Sequence, residues 1–206
     1  MAQYFQVHPE NPQQRLMLRA CEIVRSGGVI AYPTDSSYAL GCALGDKKAL
    51  ERIRRIRRLD SSHNFTLVCR DLSDIGIYAK FDNSIYRLLK ACTPGAYTFI
   101  LEASKEVPRR LQHAKKRTIG IRVPDSILVR ALLSEFDEPL MSSTLILPDN
   151  EIPENDADEI REALESELDL VIDAGAVSNQ PTTVVDCSDG VPHVVRLGGG
   201  DPSPFE

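Results

Sequence analysis

Three arginines, Arg54, Arg57 and Arg58, recur at three- and four-residue spacing in the 206-residue chain. On a helix that spacing gathers them on one face near its end. Guanidinium forks match phosphate oxygens, so such a face can hold phosphates, although a solvated charged face has the same pattern. Arg55 can instead pair with Glu51 one turn back. A second group of polar side chains follows Pro33, where Thr34, Asp35, Ser36 and Ser37 present hydroxyls and a carboxylate. Ligands bind at strand ends in open α/β sheets, but local composition alone reads this stretch as a polar turn. His63 follows the basic stretch, and by itself a lone histidine carries no chemistry. Lys115, Lys116 and Arg117 form a further basic run that fits a hairpin tip.

Recurring elements must position these groups. Asn11-Pro12 predicts a helix start, with Leu16, Ala20, Ile23 and Val24 at helical spacing and Gly27-Gly28 as its stop. Val29 to Tyr32 reads as a strand ended by Pro33. Asp46 can cap a second helix with Leu50, Ile53 and Ile56 inward and the arginines outward. Strands are predicted at 65–69, 97–101, 118–123, 139–145, 170–172, 182–185 and 193–196. Helices are predicted at 73–79, 84–91, 126–136 and 154–168. Helices and strands interleave, yet some strands follow one another directly. That mixture predicts an α/β fold with a twisted open mixed sheet and flanking helices, not a purely parallel sheet. One domain spans the chain, with a core at about 12–198 and an irregular Gly- and Pro-rich tail at 199–206.

Composition narrows the function classes. Hydrophobic residues make up 42% and charged residues 26%, which are ordinary globular values. No apolar run is long enough to span a bilayer, and no signal peptide is expected from the N-terminus. Cys21, Cys42, Cys69, Cys92 and Cys187 are widely spaced, and with four scattered histidines they form no zinc framework. The odd cysteine count points to reduced thiols and a cytoplasmic setting. Net charge is −6, with acids concentrated between Glu151 and Asp169. Basic clusters on an otherwise acidic chain suggest a local anion site. There is no Walker loop, no dinucleotide fingerprint and no nucleophile elbow.

The order of segments carries more than any one of them. Tyr32-Pro33-Thr34-Asp35-Ser36-Ser37-Tyr38-Ala39-Leu40-Gly41 resembles the Pro-Thr-Glu-Thr-x-Tyr-Gly-Leu signature of the YrdC/YciO-like threonylcarbamoyl-AMP synthase family. Arg57 with 64–68 resembles its Lys-x-Arg-Pro motif and following strand. Residues 93–101, 119–125, 139–144 and 181–186 are similar to its Trp-Pro-Gly-Pro-x-Thr, Val-Arg-x-Pro, Pro-Leu-x-Ser-x-Ser and Pro-Ser-Thr-Ile-Val-Asp segments, and Arg196 to a closing arginine. The match runs in order from about residue 12 to residue 198. His-Asn-Phe-Thr-Leu at 63–67 looks most like the YciO branch.

The resemblance implies a twisted sheet, like that of YrdC and RibB, around a basic cavity. It also implies condensation of threonine with bicarbonate, attack of the carbamate on the α-phosphate of ATP, and threonylcarbamoyl-AMP for modification of adenosine 37 in tRNA. The substrate's own carboxylate attacks, so no protein nucleophile is expected; the site supplies position and positive charge, with Mg2+ accompanying ATP. Thr34, Ser37, His63, Arg122, Thr182 and Thr183 are the expected substrate contacts. Arg54, Arg57, Arg58, Ser142, Thr144 and Arg196 are the expected nucleotide contacts. Leu59 stands where the family has its second basic residue, Ile146 where it has asparagine, and Asp35 where it has glutamate. The longer members' C-terminal domain is not expected here. A double-stranded RNA- or tRNA-binding protein that uses the same basic cavity is the alternative, because RNA helices are read by shape and backbone.

Overall fold

The computed structural model describes residues 1–60 and 63–205. The apolar stretches form strands β1 (Gln3–Gln6), β2 (Ile30–Pro33), β3 (Tyr38–Ala43), β4 (Thr66–Val68), β5 (Ala79–Lys80), β6 (Tyr97–Ala103), β7 (Thr118–Arg122), β8 (Leu140–Thr144), β9 (Leu170–Asp173), β10 (Thr183–Asp186) and β11 (His193–Arg196). The amphipathic stretches form helices α1 (Gln14–Arg25), α2 (Lys47–Arg57), α3 (Leu72–Tyr78), α4 (Asn83–Cys92), α5 (Ile127–Phe136) and α6 (Ala157–Leu164). Among the described residues the strands make one sheet in the order β1-β9-β2-β3-β8-β4-β7-β6-β10-β11, with β5 on β6. Parallel pairs, such as β4 with β7 and β6 with β10, occur beside antiparallel ones, such as β3 with β8 and β6 with β7. The sheet is therefore open and mixed, as expected.

Strand periodicity sorts side chains to two faces. Leu67, Ile121, Phe99, Leu101 and Val185 point to a core shared with Leu50, Ile53 and Ile56 of α2, Ile75 of α3, Ile85 and Leu89 of α4, and Ile160 of α6. On the opposite face, Ile30, Tyr32, Val68, Leu140, Leu170 and Ile172 pack beneath α1 and α5. These two helices cover only one end of that face. The uncovered remainder, across β8, β4, β7, β6 and β10, is where the cavity lies.

Several local expectations need correction. The first helix starts at Gln14, and the Gln13 side chain makes no capping bond; His8 Nδ1 accepts from the N–H groups of Glu10 and Asn11 instead. Pro33 lies inside β2 rather than after it, opposite Tyr38, so 32–41 is a hairpin and not a strand followed by a loop. The acidic helix is short, because Asp156 caps it by accepting from Asp158 N and Glu159 N. The tail is not wholly irregular: Ser203–Phe205 forms a short 3-10 turn whose Phe205 ring meets Tyr97 and Phe99 at 5.7 and 6.1 Å. Glu206 lies outside the described residues.

Candidate active site

A cavity of about 380 Å³ opens on the uncovered face. Its floor is a cross-strand row in which Ser142, Thr66, Gly120, Ile100 and Asp186 stand side by side on five neighbouring strands. Thr98, Val184 and Arg196 form a second row. Gly120 keeps the floor low. A Cβ there would sit 3.0 Å from Thr66 Oγ1 and 3.5 Å from Thr98 Cγ2.

Three cations line the cavity: Arg57, Lys116 and Arg196. Arg57, the last residue of α2, donates from Nη1 to Ser143 Oγ at 2.8 Å and from Nε to the Ile146 carbonyl at 3.3 Å. Arg196 donates from Nη2 to the Thr182 carbonyl at 2.9 Å and to Thr182 Oγ1 at 3.2 Å, and Thr182 Oγ1 is 2.8 Å from Thr98 Oγ1. Burial lowers the pKa of both guanidinium groups, which stay charged because arginine starts so high. Lys116 Nζ lies 3.6 Å from Asp186. Burial alone would raise the Asp186 pKa, but hydrogen bonds from the Ser188 hydroxyl and N–H, with Lys116, hold its carboxyl below the ordinary range. Among the described residues Asp186 is the only acid on the lining, so positive charge prevails there.

Two histidines share the wall. His113 Nδ1 accepts from the N–H groups of Lys115 and Lys116, so its Nε2 carries the proton and is a donor. His63 Nε2 lies 3.5 Å from Ser143 Oγ. Burial first, then Arg57 and Arg54, push the His63 pKa below the ordinary 6.5, against the pull of Asp60. The folded state therefore holds fewer protons on His63 than the unfolded chain between the lowered value and 6.5. His63's contribution to stability is full above that window and is lost as pH falls through it. Thermal unfolding between pH 5 and 8 is expected to flatten in this window in His63→Gln; an unaltered slope would refute it.

The expected contacts divide into two groups. Arg57, His63, Ser142, Thr144, Thr182 and Arg196, drawn from four separate segments, all line the cavity. The others do not. Thr34 Oγ1 donates to the Ser37 carbonyl at 2.7 Å and accepts from Ser36 N and Ser37 N, so its hydroxyl closes the β2–β3 turn. Ser37 Oγ bonds the Tyr38 carbonyl. Arg122 is buried against Asp35 and Ser36 Oγ, and Thr183 Oγ1 donates to the Gly200 carbonyl on the opposite face. Arg54 stacks over Phe65 at 5.1 Å and pairs with Glu51, which takes the partner expected for Arg55; Arg55 pairs with Glu167. Arg58 leaves the helical face because it caps α2 at φ 50°, and it meets Asp149 in solvent. Leu59 packs against the core cluster, while Ile146 lines the cavity.

Sequence reasoning missed Thr66, Thr98, Thr118 and Gly120 on the floor. The signal was present as hydroxyls and a glycine at every second strand position, opposite the apolar face. The signature hairpin acts from behind this wall. Tyr32 donates or accepts a 2.8 Å hydrogen bond with Ser142 Oγ, and its ring lies over Gly41, where a Cβ would approach it to 2.8 Å. Among the described residues no three His, Cys, Asp or Glu side chains cluster as a metal site, and no helix is long and apolar enough to cross a membrane.

A family model described as telomere recombination, covering Sua5, YciO and YrdC, matches residues 22–198. The chain belongs to this family. It is 55% identical over 205 residues to the uncharacterized protein YciO of Escherichia coli K12, covering all of both chains. The crystal structure of E. coli YciO superposes over the full length of both chains with a TM-score of 0.96. A threonylcarbamoyl-AMP synthase of Chromobacterium violaceum is 34% identical over 137 residues, 66% of this chain and 70% of the relative. P. abyssi Sua5 complexed with L-threonine shares the fold at 22% identity, with a TM-score of 0.87 over 95% of this chain and 57% of that one.

Proposed function

We propose that the cavity is a threonylcarbamoyl-AMP synthase-like site, which takes ATP, threonine and bicarbonate and releases pyrophosphate and a carbamoyl adenylate destined for tRNA. One observation carries this reading: six residues expected from four separate family segments converge on one basic cavity, of a size that suits a nucleotide. Arg57 and Arg196 bind phosphate from opposite walls, with Ser142, Thr144 and Thr182 as hydroxyl partners. A carbamate carboxylate held beside the α-phosphate needs no protein nucleophile, since fixed positive charge stabilises the transferring phosphoryl oxygens. Asp186 is already held by Lys116 and Ser188, so any Mg2+ would arrive with the nucleotide and be held mainly by its phosphates, where it would neutralise charge on the triphosphate. The buried, unbridged cysteines suit a reducing cytoplasm.

Ile146 places a methyl-bearing wall where the family has a hydrogen-bonding amide, and this weakens ATP handling in our reading. Incubation with ATP, threonine and bicarbonate should release pyrophosphate slowly. Ile146→Asn should raise that rate by about tenfold, the worth of one regained polar contact. No adenylate from either protein, beside an active family member, would sink the proposal. Leu59 faces the core, so restoring a cation there is not expected to help. The RNA-binding alternative has one observation in its favour: the exposed Lys116 joins the cavity lining next to Lys115 and Arg117. Duplex RNA that binds with a steep salt dependence and displaces ATP would favour it.

A further inference from the structure

Arg57 ends α2, His63 lies in the connection from α2 to β4, and both reach one atom of β8. Arg57 Nη1 donates to Ser143 Oγ at 2.8 Å, and His63 Nε2 lies 3.5 Å from the same oxygen. A guanidinium can only donate, so the hydrogen of the Ser143 hydroxyl is left for His63 Nε2, which marks that nitrogen as the unprotonated one. The contact is long, so the Nε2 lone pair stays open to a stronger donor such as an ammonium. The ring stands edge-on to Phe65, with centroids 5.5 Å apart and planes at 86°. Its backbone N–H is held by the Asp60 carbonyl at 3.3 Å. Among the described residues of the lining, no other side chain is so well placed to take up a proton. His113 has its Nδ1 occupied by two backbone N–H groups and presents a donor. Lys116 and Arg196 are cations, and the Asp186 carboxylate is a weak base because Ser188 and Lys116 already satisfy it.

We infer that His63 is the catalytic base that takes a proton from the amino group of the amino-acid substrate as that group becomes a carbamate. The inference rests on the synthase reading above. In neutral water the amino group is an ammonium with no lone pair to attack carbon. One of its protons passes to His63 Nε2, the freed pair forms the bond to the bicarbonate carbon, and a second proton leaves with the bicarbonate hydroxyl as water. Substrate ammonium, bicarbonate and neutral histidine thus become carbamate, water and a histidine cation, with charge conserved. Burial and then Arg57 and Arg54, against the pull of Asp60, keep the ring neutral and able to accept at pH 7. The Arg57 charge beside it favours the free amine over the ammonium. In the adenylate only the carbamate carbon and one oxygen separate this nitrogen from phosphorus. A base that shares a serine with a phosphate-binding arginine therefore stands where both halves of the reaction meet.

The test runs the reaction of the full chain in both directions. The forward direction, from threonine, bicarbonate and ATP, needs the base. The reverse phosphoryl step, in which supplied threonylcarbamoyl-AMP and pyrophosphate give ATP, starts from a finished carbamate and does not. His63→Gln keeps a hydrogen-bonding side chain that cannot take up a proton. It should lower the forward kcat by about a hundredfold, the usual worth of a general base, and the reverse rate by less than about threefold. ATP formed in reverse also shows that the variant is folded. In His63→Ala, forward turnover that rises with added free-base imidazole would support the same role. Equal losses in both directions would make His63 a binding residue and overturn the base, as would a forward rate unchanged in His63→Gln; the synthase reading survives either result. Wild-type protein inactive in both directions would instead reject that reading, and the base with it.

Discussion

Asp35→Ala is expected to remove about 3–5 kcal/mol of folding stability, the usual cost of orphaning one member of a buried ion pair. Arg122 and Asp35 are only 8% and 12% exposed, so solvent cannot take over either charge. Burial works against the guanidinium charge, and the adjacent carboxylate is what offsets it. Asp35 also accepts from Asp125 N at 3.0 Å, which ties the β2–β3 turn to the segment entering α5. Among the described residues Arg122 Nε already lacks an acceptor, so without Asp35 the guanidinium keeps there only Ser36 Oγ at 3.1 Å. Urea unfolding reads the loss as a lower midpoint at unchanged slope. Asp35→Ala/Arg122→Met should recover much of it, because an apolar pair leaves no stranded charge. A single-variant loss below about 1 kcal/mol, the range of exposed pairs, would contradict this account.

Gly41→Ala should cost about 2–5 kcal/mol, combining overpacking with a broken buried hydrogen bond. The added methyl would meet the fully buried Tyr32 ring at 2.8 Å, inside contact distance, and the ring has no space to yield without leaving Ser142. Tyr32→Leu should shrink the penalty of Gly41→Ala, since a shorter side chain vacates the clash; additive effects would show that the two positions are not coupled. Ligand affinity should fall with stability in Gly41→Ala, because Ser142 is both the partner of Tyr32 and part of the cavity floor. Denaturation and nucleotide titration on the same protein separate the two.

These two variants lie in one hairpin, and the hairpin shows what sequence can and cannot convey. Apolar strands such as Phe65 to Cys69 and Tyr97 to Leu101 were legible because runs of large side chains have few other fates. β3 was not, because Ala39, Gly41 and Cys42 are small, and the smallness of Gly41 answers to the Tyr32 ring from another strand. The arginine face failed at Arg58 for a comparable reason: helical spacing assumes the helix continues, and the chain turns left-handed there. Order along the chain did transfer, which is why Arg57, His63, Ser142, Thr144, Thr182 and Arg196 meet. Whether a hydroxyl faces a ligand or its own turn, as at Thr34, depends on two or three backbone atoms that no residue pattern records.

The strand order has a kinetic side. β1 leaves the ribosome first, yet its sheet partner is β9, which begins at Leu170. The connection between them encloses the greater part of the chain, so β1 gains its ladder only after most of the protein has been made. Such distant pairings raise contact order and slow folding. The hairpin β2–β3 and the pair β6–β7 join neighbours and can form early, whereas closure of the β1 edge must come late. An amide-exchange pulse during refolding would label β1 long after the floor of the cavity is protected.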